Sequence, residues 1–176
     1  MSNKPVLCIQ VNKVTQLRLL EERHAEDYFA LIERNKAYLY TWIDVEAYEG
    51  SVETLKAYVK QRLLQFVNGE GYHLGIWYQD ALVGILAYSL NGRSRSVELG
   101  YWLDVAMQGN GIVTRACCTM VRHAFEVHQM HKVVISCAIV QGGNLRQVGR
   151  LGDRYVDVIF YGLLVDEWCT RAELPS

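Results

Sequence analysis

The chain has 176 residues, is 51% apolar and carries a formal net charge of −1, which suits one soluble α/β domain with a full core and excludes a disordered chain. Near-neutral charge without basic clusters argues against direct nucleic-acid binding. No apolar run approaches the roughly 20 residues that span a bilayer, and "MSNKPVLCIQ" has no long apolar core, so no membrane association is expected and the chain reads as cytoplasmic. The five cysteines (Cys8, Cys117, Cys118, Cys137, Cys169) form no CxxC pair and have no histidine at zinc spacing. They read as buried thiols, with no metal.

In chain order, "VLCIQV" and "LRLLE" predict a first strand region, and "HAEDYFALIERNKAYLYTWI" predicts a helix with Ala25, Phe29, Ile32 and Leu39 on roughly one face. "SVETLKAYVKQRLLQFV" predicts a second helix, where Ser51 followed by Thr54 is half a capping box. The period then becomes two. "YHLGIWYQDALVGILAYSL" reads as a hairpin around Gln79-Asp80, whose turn chemistry is weak, and "SRSVELGYWLD" as a third strand. Alternation puts Val97, Leu99, Tyr101 and Leu103 on one side of that strand and Glu98, Trp102 and Asp104 on the other. "GIVTRACCTMVRHAFEVH" follows as an amphipathic helix with Ala116/Cys117, Met120/Val121 and Ala124/Phe125 on one face. A buried-type strand "KVVISCAIV" comes next, and "NLRQVGR" with "RYVDVIFYGLLVDEW" forms a second hairpin. No repeat, low-complexity segment or linker interrupts the chain, which reads as one domain over residues 1–176.

Between the third strand and its helix lies Gln108-Gly109-Asn110-Gly111. Glycine permits positive φ and lets a ligand approach where a Cβ would stand. Placed before a helix, such a turn aims N–H groups and the positive dipole end at one spot, which suits an anion. A tight strand-to-helix turn alone also explains a lone G-x-G. The pattern is neither a Walker loop, having no G-K-[ST], nor a Rossmann fingerprint, lacking the third glycine.

"ELGYWLD" followed by Gln108-Gly109-Asn110-Gly111-Ile112-Val113-Thr114 resembles the acetyl-CoA pyrophosphate loop (Q/R-x-x-G-x-G/A) of the GCN5-related N-acetyltransferases (GNAT), within them the RimJ/RimL-type ribosomal-protein branch. The likeness covers nearly the whole chain, with "LRLLEERHAEDYFALI" and "RYVDVIFYGLLVDEW" in family order. Val113 replaces the general Gly or Ala, at a place where this branch carries larger residues. The resemblance implies an acyl-CoA N-acyltransferase fold, α/β (α+β), with a mixed, mostly antiparallel sheet splayed near Trp102 and flanked by helices. It implies acetyl-CoA as co-substrate, with Tyr101, Trp102 and Leu103 along the pantetheine arm and Gln108, Gly109, Asn110, Gly111, Ile112, Val113 and Thr114 at the phosphates. It also implies transfer of acetyl to a primary amine, leaves a homodimer open, and favours a protein N-terminal α-amine of ribosomal type. The rivals are a small amine, such as a polyamine or an antibiotic, and a coenzyme-binding protein without turnover.

Acetyl transfer needs a neutral amine, a polarised carbonyl and a quench for the leaving thiolate. An α-amine is roughly a tenth neutral at pH 7, whereas lysine is neutral in about one molecule in 2,500. Glu98, on the strand leading to the turn, is the candidate base, acting through water as acidic residues on this strand do in the family; a solvated strand residue, or an ion pair with Arg95, explains it as well. Tyr161 is a candidate donor to the thiolate, against the commoner case of a sheet tyrosine. Asp157 is a candidate substrate carboxylate or an outward-facing residue. Trp42 resembles the aromatic of the acceptor-side loop and equally suits a core. No cysteine stands where a covalent acyl carrier is expected, so both substrates bind together.

One family segment is missing. Between "KVVISCAIV" and "NLRQVGR" stand only Gln141-Gly142-Gly143, where the family carries a crossover helix with an N-x-x-S pattern. The strands on either side run parallel in the family with the last strand inserted between them, so the connection is expected to travel back a full strand length, about 23 Å for seven residues. Five residues reach about 17 Å. Either a segment is missing between Val140 and Gln141, which the matching flanks favour, or the chain lacks that helix.

Overall fold

The computed structural model describes residues 7–42, 50–139, 145–151 and 154–171, with side chains up to 136 and again over 161–168. Among these residues eight strands form one sheet: β1 (Cys8–Gln10), β2 (Thr15–Leu19), β3 (Gly71–Tyr78), β4 (Ala81–Asn91), β5 (Ser96–Leu103), β6 (Lys132–Ile139), β7 (Leu145–Leu151) and β8 (Arg154–Leu164). Their spatial order is β1-β2-β3-β4-β5-β6-β8-β7. Among the described residues only the β5–β6 pair is parallel, and α3 (Ile112–Glu126) makes the crossover between them, as a parallel pair demands. The expected mixed, mostly antiparallel sheet is present, and the last strand lies between its two predecessors.

Two apolar cores cover the two faces. α3 places Ala116, Cys117, Met120, Val121, Ala124 and Phe125 against Leu17, Leu74, Leu86, Val97 and Leu99, on the stripe read from the sequence. α1 (Ala25–Trp42) and α2 (Val52–Val67) close the other face around Tyr28, Leu31, Leu55, Val59, Trp77 and Ile85. The buried stripe of α1 is Ala25, Tyr28, Leu31, Ile32, Asn35 and Leu39. Phe29, expected inside, is half-buried at its edge. The buried Asn35 belongs to this stripe, a polar residue that apolar periodicity does not mark.

Three local expectations change. The capping box of α2 is complete, with the Ser51 hydroxyl accepting from the Thr54 N–H and the Thr54 hydroxyl facing the Ser51 N–H. The β3–β4 turn holds Gln79 at φ 48° and Asp80 at φ 62°, the double left-handed geometry of a type I′ hairpin built without glycine. The final segment is not strand throughout: β8 stops at Leu164 and α4 (Val165–Arg171) follows, its Glu167 carboxylate accepting from the Leu164 N–H at 2.9 Å. Cys117 is buried as expected, but Cys8 and Cys118 are exposed.

The segment expected between Val140 and Gln141 lies outside the described residues. The register around it differs from expectation. β6 pairs with β8 from Lys132↔Leu164 to Ile139↔Asp157, whereas β7 pairs from Leu145↔Val158 to Leu151↔Arg154. β7 therefore begins level with the end of β6, across β8, and continues beyond it. The ends to be joined are about 10 Å apart, two strand spacings, and the chain from 139 to 145 reaches roughly 20 Å. No full-length return is needed.

Candidate active site

The β5–β6 ladder stops at Leu99↔Ile135, while β5 goes on pairing with β4 as far as Leu103↔Gly84. Past that point the two strands part, and a cleft of about 830 Å³ opens at the seam. Gly100 to Leu103 line it from β5, Ser136 from β6, and Tyr38, Leu39 and Trp42 from the last turns of α1. Trp102 is backed by Tyr28, their rings 28° from parallel with centroids 6.5 Å apart.

The cleft ends on the glycine turn. Gly109 (φ 77°) and Gly111 (φ 65°) are both left-handed, where L side chains carry strain. A Cβ on Gly109 would meet nothing within 4 Å, so nothing in the protein fills the space above it. The first intrahelical bond of α3 runs from the Arg115 N–H to the Gly111 carbonyl, and the N–H groups of the turn before it point out of the helix end. Asn110 stiffens the turn from its outer side: its amide donates to the Met107 and Gln108 carbonyls at 3.2 Å each, and its own carbonyl accepts from Arg115 at 2.7 Å.

A network from α1 fixes where the turn starts. Asp104, buried at the end of β5, accepts from Arg34 Nε at 2.6 Å and from the Ala106 N–H at 3.1 Å. Arg34 also donates to the Leu82 carbonyl at 3.0 Å. The buried Asn35 accepts from the Val105 N–H at 3.0 Å and donates to the Leu31 carbonyl at 2.9 Å. Burial alone would raise the Asp104 carboxyl, but the bonds from Arg34 and the Ala106 N–H, with the Arg34 charge, outweigh it and hold it below the ordinary carboxylate range. Neither Arg34 nor Asn35 carried a sequence signal, since each contacts a segment 70 residues away.

Of the residues expected at the coenzyme, Tyr101, Trp102, Leu103, Gln108, Gly109, Gly111, Ile112, Val113 and Thr114 line the cleft; Asn110 braces the turn from outside. Trp42 lines the α1 wall. Glu98 is exposed and accepts from the Ser136 hydroxyl at 3.0 Å. Arg95, the alternative partner for Glu98, donates to the Gln129 carbonyl, and among the described residues Glu98 makes no ion pair. Tyr161 is exposed and pairs with Ile135, opposite Leu99, so it shares their face of the sheet and not that of Glu98. Asp157 pairs with Ile139, and its side chain lies outside the described residues. Tyr38 and Ser136 are cleft residues that the pattern of the sequence did not reveal.

A seam opened between parallel strands, continued by a left-handed glycine turn at a helix N-terminus, has the shape for a long ligand with an extended arm and an anionic end. Residues 15–152 match the acetyltransferase (GNAT) domain, and the chain belongs to that family. The ribosomal-protein-serine acetyltransferase of Escherichia coli (strain K12) is 25% identical over 173 residues, covering 90% of this chain and 97% of that one. YdaF of Bacillus subtilis (strain 168), named provisionally as a ribosomal N-acetyltransferase, is 27% identical over 175 residues, covering 90% and 96%. Those 175 aligned positions outnumber the residues that 90% of a 176-residue chain supplies, so the relative carries residues within the aligned stretch that this chain lacks. A solved RimL structure, a ribosomal L7/L12 α-N-protein acetyltransferase in complex with coenzyme A, has the same fold with a TM-score of 0.83 at 24% identity, covering 92% of this chain and 99% of that one. The fold, the family and acetyl transfer agree with the reading of the sequence. Among the described residues no helix is long and apolar enough to cross a membrane.

Proposed function

We propose that this protein moves acetyl from acetyl-CoA to the N-terminal α-amine of a protein, a ribosomal protein being the natural acceptor, in the cytoplasm. The observation that carries the reading is the seam beyond Leu99↔Ile135 that runs into the Gly109–Gly111 turn. The pantetheine arm lies along β5 as an added strand would, and the pyrophosphate rests on the N–H groups before α3. The acetyl end then falls at the closed end of the seam, beside Glu98. There the Glu98 carboxylate takes the amine proton through water, while Tyr38 and Trp42 frame the acceptor's side. The α-amine fits this weakly assisted chemistry, because it is about 3 kcal/mol easier to deprotonate at neutral pH than lysine. The name of the Escherichia coli relative supports the acceptor class.

A second reading, coenzyme binding without turnover, is favoured by one observation: the relative carries internal residues that this chain lacks. Incubation with acetyl-CoA and a panel made of a ribosomal-type N-terminal peptide, a polyamine and an aminoglycoside separates the readings. Thiol release with one acetyl group added to the peptide α-amine is expected. Coenzyme binding without thiol release across the panel would refute transfer, and acetylation of the polyamine alone would move the acceptor to small amines.

A further inference from the structure

The hydroxyl that donates to Glu98 sits at the point where the sheet opens. Ser136 is the first residue of β6 beyond the last β5–β6 pair, and Glu98 precedes that pair by one residue on β5. Val133 is buried in the α3-side core and Ile135 packs on it, so alternation turns Ser136 to the other face, shared with Glu98, Gly100 and Trp102. Ser136 is half-buried and lines the cleft. It follows three β-branched apolar residues, Val133, Val134 and Ile135, on a strand where another such residue would pack better. In place of apolar packing the hydroxyl makes a 3.0 Å hydrogen bond to the Glu98 carboxylate.

We propose that Ser136 and Glu98 form a proton relay to the departing thiolate, a proposal that rests on the acetyl-transfer reading above. In the resting site the ionised carboxylate can only accept, so Ser136 donates to it. When the amine attacks, a C–N bond forms and the C–S bond breaks with its electron pair leaving on sulfur. The surplus N–H proton passes through water to Glu98. The protonated carboxyl becomes the donor, and the hydrogen bond between the two side chains reverses. Ser136 gives its own proton to sulfur as it takes the one held by Glu98, so the proton lost by nitrogen equals the one gained by sulfur and both side chains return to their starting state. Tyr161 is less well placed for this task, because its register puts it on the opposite face and it does not line the cleft.

The test compares the wild type with S136A, S136T, E98Q and Y161F on two donors, acetyl-CoA and an aryl thioester such as S-acetyl nitrothiophenol, whose acidic thiol departs without a proton. The expected result is a loss of about 100-fold in kcat for S136A with acetyl-CoA, unchanged coenzyme affinity, recovery in S136T and no deficit with the aryl thioester. E98Q should be slow with both donors. Equal losses of S136A on both donors, or a loss in Y161F without one in S136A, would overturn the relay. Wild-type turnover with S136A unimpaired removes the relay alone, whereas a wild type that transfers acetyl to no amine removes the acetyl-transfer reading and the relay with it.

Discussion

Asp104→Ala isolates what α1 does for the glycine turn. Asp104 caps the short helical turn at Val105–Met107 through the Ala106 N–H, a bond worth about 1 kcal/mol. Its pair with Arg34, whose side chain is 46% exposed, adds about 1 kcal/mol after solvent screening. The loss of about 2 kcal/mol lowers the melting temperature by about 4–8 °C in a chain of this size. The larger effect falls on the ligand. Without the cap, Val105 to Gln108 must be ordered again on binding at about 1 kcal/mol per residue, so coenzyme A affinity drops at least about tenfold, or 1.4 kcal/mol. Calorimetric titration with coenzyme A and with S-acetylpantetheine, which lacks the pyrophosphate, separates the effects: the first weakens and the second does not. A variant that melts lower yet binds coenzyme A as the wild type does, or loses affinity equally for both ligands, would refute the network's role in presenting the turn. The Asp104 carboxyl is held low in the folded protein, so its contribution is present above the unfolded value near 4 and fades as pH falls through the lower folded value.

His73, almost fully enclosed beside Tyr28 and Tyr58, has its pKa pushed down to about 3 by burial, with the Arg62 charge adding to it. The unfolded chain therefore takes up this proton first, and His73 alone lowers stability by about 2 kcal/mol between pH 7 and 5; denaturant melts of H73L should lose that share of the slope and keep the part due to His24, His123 and His128, which burial also shifts down, and an unchanged slope would exclude His73 as a source. Gly109→Ala adds a methyl group that meets no protein atom within 4 Å, so the folded protein loses only about 1 kcal/mol of stability, to backbone strain, while coenzyme A affinity falls at least about tenfold; equal binding would place the phosphates elsewhere. Gln79→Asn relieves one left-handed residue of the hairpin while keeping the Arg18–Asp80 ion pair and should stabilise by about 0.5 kcal/mol, read as a higher melting temperature with unaltered coenzyme binding.

The elements legible in the sequence were those whose signal is local. The α3 stripe repeats at three and four, and Gly109 and Gly111 announce a backbone that other residues take with strain. The face that Glu98 occupies was reachable from alternation along β5, while its candidacy as a base came from the family resemblance. Features that depend on distant partners left no such trace. Arg34 and Asn35 look like ordinary residues of a polar helix until α1 is laid beside the end of β5, and Ser136 stands out only once β6 is seen to leave β5 one residue earlier. The helix after Leu164 was hidden by the apolar run before it, although Asp166 and Glu167 in its first turn are a usual start signal. The hairpin of β7 with β8 was legible, but the height at which β7 docks was not, because a pairing register is a property of two strands and the pattern of either one alone is indifferent to it.

The staggered docking of β6 and β7 on β8 also bears on how such proteins change over time. Each strand occupies its own stretch of the shared neighbour, overlapping only near Asp157 and Val158, so the path between them can lengthen by a helix or shrink to residues 140–144 without shifting a rung of the ladder. An insertion or deletion there leaves the heritable part of the architecture, the order of eight strands, untouched, and costs little in closure entropy. The two strands thus hold their places on β8 independently, and the length of chain between them is not set by the ladder.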